Sequence, residues 1–140
     1  MLAAEPPGAP PVILAGVGWR AIAREHLKRD PPSPLELENA IAAIEDEIAR
    51  AGALPAGGSR VRTSDALVRE IAAAAGLPRD VETTFALPAV EQAFQRLAAQ
   101  ASRGVRSADG LAAGNEAAAA LVILRELMHH LGFPAILVLA

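Results

Sequence analysis

The clearest periodic signal in the chain runs from residue 33 to residue 52. Leu37, Ile41, Ile44, Ile48 and Ala51 recur at steps of four, three, four and three. That spacing lays one apolar stripe along four helical turns and leaves Glu36, Glu38, Glu45, Asp46 and Glu47 off it. Ser33-Pro34-Leu35-Glu36 ahead of the stripe is a capping box with proline at the first helical position, and Gly52 ends the helix. Weaker stripes predict three more helices. One runs from Trp19 to Arg29 on Trp19, Ile22, Ala23 and Leu27, and stops at Asp30-Pro31-Pro32. The second starts at a Thr63 or Ser64 cap and reaches Ala75 on Leu67, Val68 and Ile71. The third runs from Pro88 to Ala101 on Val90, Phe94, Leu97 and Ala101.

The last stretch has no polar face for two turns. Ala117 to Leu124 are apolar without a break, and a helix apolar all round is a buried helix. Asn115 suits its cap and Glu116 its first turn. Gly132 stands where a left-handed cap belongs, and Pro134 prevents continuation. Ile136 to Leu139 then form a continuous apolar run, the pattern of a strand covered on both faces. Val12 to Ala15 is a second such run near the other end of the chain.

These elements predict a mostly α fold. About five helices pack around a buried C-terminal helix, and the N- and C-terminal strands pair in a small central sheet. If Val61 and Phe85 mark further strands, the alternative is an α/β layer fold. Residues 1–10, with Pro6, Pro7 and Pro10, are expected to be a disordered tail, and residues 11–140 a single globular domain.

Composition narrows the function classes. Hydrophobic residues make up 52% of the 140, but aromatics only 3%; the difference is alanine, which favours helix and fills little volume. The formal charge is −3, so no overall attraction to nucleic acid or to an anionic membrane is expected. No apolar run approaches the roughly 18 residues that span a membrane, and the N-terminal residues do not resemble a signal peptide. With no cysteine in the chain, disulfides and thiolate chemistry are excluded, which fits a cytoplasmic setting.

Three features are candidates for chemistry. Gly16-Val17-Gly18-Trp19-Arg20-Ala21 follows an apolar run and precedes a helix, the setting of a phosphate-binding turn. Gly16, Gly18, Trp19 and Arg20 are its candidate ligand-binding residues. Against it, no second strand with an acidic end follows, and Trp19 is bulky where a ligand needs room; a plain strand-to-helix turn is the simpler reading. Glu126, His129 and His130 form the second feature. Glu126 and His129 have the i, i+3 spacing of a helix that offers a Glu and a His to one metal. The simpler reading is that both histidines favour the helix C-terminus and Glu126 pairs with His130 at i, i+4. The acidic run Glu45-Asp46-Glu47 reads as the solvated side of its helix. Third, Val68 to Val81 faintly resembles the first half of a helix-turn-helix, with Arg60, Arg62, Arg69 and Arg79 as a modest basic face.

No catalytic constellation is readable, and no cofactor is implied. The expectation is a small non-enzymatic domain that acts through protein–protein contacts and self-associates. The contact face is expected on the helix of Val90, Phe94 and Leu97, where Gln92, Gln95 and Gln100 make a thin polar side. A small-ligand or phosphate binder using the Gly16–Ala21 turn is the alternative, and a DNA-associated regulator the third.

Overall fold

A computed structural model describes residues 2–5, 12–13, 18–51, 60–105 and 114–140. Along the chain they form β1 (Leu2–Glu5), β2 (Val12–Ile13), α1 (Trp19–His26), α2 (Pro34–Ala51), β3 (Arg60–Thr63), α3 (Ala66–Ala74), β4 (Thr83–Ala86), α4 (Leu87–Arg103), α5 (Asn115–Leu131) and β5 (Ala135–Val138). The capping box closes as its residues require. Ser33 N–H donates to Glu36 Oε1 at 2.9 Å, and Glu36 N–H donates to Ser33 Oγ at 3.2 Å. Leu37, Ala40 and Ile44 of α2 face the core.

The C-terminal helix α5 is the centre of the domain. Its residues Ala117 to Leu124 are all buried, and it packs against α1, α2, α3 and α4. The alanine run permits this, because methyl groups let several helices approach one axis closely. Gly132 closes α5 in the left-handed conformation at φ 71°. The start of α5 differs from expectation. Gly114 holds the cap position, and Asn115 turns its amide away from its own helix. Its Nδ2 donates to the carbonyls of Leu27 and Arg29, both at 2.8 Å, and so satisfies backbone acceptors where α1 ends.

The sheet has five strands in the order β2-β1-β3-β5-β4, and Val61 and Phe85 do belong to strands, but these are short and the fold is mostly α, five helices with one small sheet among the described residues. Only β3 and β5 are parallel; every other pairing is antiparallel. The N-terminal strand candidate and the C-terminal one thus share a sheet but are not neighbours, since β1 and β3 lie between them. Leu2–Glu5 is a strand where a tail was expected; the prolines behind that expectation, at 6, 7 and 10, come after it. At the start of α3 the cap is Asp65, whose Oδ1 accepts from Leu67 N–H at 2.8 Å, while Thr63 is buried in β3.

Burial alternates across the sheet. Ala4, Val61, Thr63, Phe85, Ile136 and Val138 form a buried face. On the other face Arg60, Arg62 and Thr84 are exposed, and Ala3, Glu5, Ala135 and Leu137 are half-buried. The expectation that Ile136 to Leu139 are covered on both faces is therefore corrected: only alternate residues are buried. The expected contact face on α4 is corrected too. Val90, Phe94 and Leu97 fill the domain's own core, and Gln100 is buried beside them at 1% exposure rather than lying on a polar side. No helix among the described residues is long and apolar enough to cross a membrane.

Candidate functional site

Two pairs of side chains on α5 organise a cluster of ion pairs with α2 and α4. Glu126 and His130 are one turn apart and share a side of the helix with Glu45 of α2. Arg125 and His129 are also one turn apart and share a side with Glu91 of α4. A helix repeat of 3.6 residues requires this split, because positions four apart lie over one another while adjacent positions turn away.

Glu126 is the pivot. Its side chain is only 5% exposed, and both carboxylate oxygens are engaged. Oε1 accepts from Arg125 Nη1 at 2.9 Å, and Oε2 lies 3.2 Å from His130 Nε2. His130 Nε2 is 3.7 Å from Glu45 Oε1 as well, so the imidazole stands between two carboxylates. On the other side, Arg125 Nε donates to Glu91 Oε1 at 3.0 Å, and its guanidinium stacks 4.1 Å from the centre of the Phe94 ring. His129 Nε2 meets the same Glu91 oxygen. Burial alone pushes the Glu91 carboxyl up; the His129 contact and the Arg125 charge outweigh it and hold the group below its ordinary value. Three carboxylates against one guanidinium leave two negative charges whenever both imidazoles are neutral.

The structure therefore brings Glu126 and His130 together and sends His129 to a different partner. Glu45, read from sequence as solvated, completes the cluster. No local signal marks Glu45, since its role depends on α2 crossing α5. Arg125 and His129 at i, i+4 did carry a signal, two basic side chains on a face otherwise apolar.

The glycine turn is placed only in part, because Gly16 lies outside the described residues. Gly18 precedes α1 and lines a cavity of about 340 Å³ between α1 and α2. The same cavity is lined by Glu25, Asp46 and Glu47 together with His26 and Arg50, a wall of mixed charge rather than the basic cradle a phosphate would need. Trp19 packs against the hydrophobic core, and Arg20 reaches Glu116 at 3.9 Å. The four arginines of the suggested basic face divide. Arg60 and Arg62 project from the sheet, with Arg62 bonded to Glu5 at 2.9 Å. Arg69 and Arg79 line a cavity of about 210 Å³ beside α3, and there Arg79 pairs with Glu70 at 2.8 Å. After the turn at Gly76 the chain enters β4, not a recognition helix. No protein-family model and no curated protein sequence matches this chain, so its own residues carry the functional argument.

Proposed function

We propose that the chain is a non-enzymatic interaction domain that self-associates through the outer face of its sheet. One observation carries this reading. The parallel pair β3–β5 stands inside the sheet, yet Arg62 and Leu137, which are register partners there, are exposed and half-buried on the outer face. All-parallel sheets almost always have both faces covered and antiparallel ones tolerate water on one side, so in this mixed sheet the uncovered side of the β3–β5 pair is where a further layer fits best. A second copy supplies the missing layer with the least new design, because a two-fold contact uses one patch twice. The patch carries Arg60 and Arg62 with Glu5, and the Arg62–Glu5 pair leaves one net positive charge on each copy, at Arg60 near the edge of the strand.

Sedimentation equilibrium at micromolar concentrations tests this. A dimer mass is expected for the wild type and a monomer mass for Leu137→Glu. The new carboxylate would lie beside Arg62 in the isolated domain, so the melting temperature of the variant's monomer should be close to that expected for a folded chain. A wild type that sediments as a monomer throughout refutes the reading. A Leu137→Glu protein that stays folded and dimeric removes the sheet face as the contact.

A further inference from the structure

We propose that Glu45, Glu126 and His130 form a binding site for one divalent transition-metal ion, independent of the sheet face above. Each residue offers one ligand atom, and the three atoms lie within 4.8 Å of one another. Oxygen and nitrogen ligands bind zinc at roughly 2.0–2.2 Å, so tetrahedral neighbours stand about 3.4 Å apart. His130 Nε2 is 3.2 Å from Glu126 Oε2 and 3.7 Å from Glu45 Oε1, on either side of that spacing. An ion therefore needs only small rotamer adjustments, and Glu45 and His130, both close to half-exposed, are free to make them.

The supporting residues fit the same role. Glu126 is held by Arg125 through Oε1, which leaves Oε2 directed at His130. Arg125 is fixed in turn by Glu91 and by the Phe94 ring. Metal ligands are commonly oriented by such an outer layer of hydrogen bonds. The charge also fits. Glu45, Glu91 and Glu126 against Arg125 leave a deficit of two positive charges with neutral imidazoles, the charge of one divalent ion. An imidazole ligand beside carboxylates selects a borderline ion such as zinc over magnesium or calcium, which prefer oxygen throughout. Three protein ligands leave one tetrahedral position open.

Isothermal titration of the full chain with zinc chloride at neutral pH, with cobalt(II) as a spectroscopic probe, tests the proposal. One equivalent of zinc is expected. Glu45→Gln and His130→Gln should each weaken it at least tenfold, while His129→Gln leaves it unchanged. Cobalt should give the intense visible bands of a tetrahedral site, and these should disappear in His130→Gln. Circular dichroism checks that each variant is folded; both main substitutions are at surface positions. A wild type that takes up no zinc overturns the proposal. So does undiminished zinc binding in folded Glu45→Gln and His130→Gln, or tighter binding of magnesium or calcium than of zinc.

Discussion

Replacing Glu36 by alanine should loosen two helices at once. The Glu36 carboxylate accepts Ser33 N–H at Oε1, the reciprocal half of the capping box. Its Oε2 reaches outside α2, accepting Lys28 N–H at 2.6 Å and Arg29 N–H at 3.3 Å in the segment that follows α1. Hydrogen bonds to a charged acceptor are worth about 1.5–3 kcal/mol when dry, but water reaches this site, so about 1 kcal/mol or less for each is the better figure. Glu36→Ala should therefore cost roughly 2–3 kcal/mol, against about 1 kcal/mol for Ser33→Ala, which removes the cap alone. For a domain of this size 1 kcal/mol corresponds to roughly 3–5 °C in Tm. Urea and thermal unfolding followed by far-UV circular dichroism would measure both. The double variant should cost less than the two single losses added, because the two caps are reciprocal.

The pH dependence adds a second check. Burial raises the Glu36 pKa, but the backbone donors Ser33, Lys28 and Arg29, with the Ser33 hydroxyl, outweigh it and bring the group below the ordinary 4.5. A depressed folded-state pKa means a contribution that is complete above the unfolded value and is lost as pH falls through the folded one. The stability difference between the wild type and Glu36→Gln should thus be constant from pH 7 to about pH 5 and shrink below that. A Glu36→Ala cost no larger than that of Ser33→Ala, or a difference from Glu36→Gln that stays flat down to pH 3, would refute the clamp.

Two further outcomes follow from other contacts. Asn115→Asp replaces a double donor with acceptors that face the Leu27 and Arg29 carbonyls, so it should cost about 2–4 kcal/mol and exceed Asn115→Ala in urea midpoint loss; a cost near zero for both would mean the bridge adds little. Deleting residues 136–140 removes buried Ile136 and Val138, worth about 1.5–3 kcal/mol each, and separates β3 from β4. The truncated chain should lose its cooperative melting transition, and an unchanged Tm would show β5 to be dispensable.

The elements themselves were legible because their causes are local. The stripe of Leu37, Ile41 and Ile44, the Ser33–Glu36 box, the unbroken Ala117–Leu124 run and the Gly132 stop each depend on residues within a few turns of one another. Burial of α5 follows from its having no polar face over that run, whatever the rest of the chain does. The sheet was legible only in outline. That β3 separates the terminal strands, and that Leu137 shares a face with Arg62, depends on pairing partners far apart in sequence, on which hydropathy along one strand is silent.

The candidate chemistry divides in the same way. Glu126 and His130 meet because a helix places residues four apart on one side, so their pairing was fixed by the sequence alone. Glu45 joins them only because α2 crosses α5 at that level, and the same crossing gives it a different role from its neighbours Asp46 and Glu47. Asn115 was read as a helix cap because asparagine suits one, yet the end of α1 lies beside it and offers two carbonyls that no water needs to fill. Gln100 has a polar side chain among apolar neighbours, and the packing of α4 onto the core decided its burial against its own preference for water. Local periodicity determined which segments are helices and which faces are apolar. Tertiary packing decided what each polar group meets, because hydrogen-bond and ion-pair partners are set by distances in space that the order of residues does not contain.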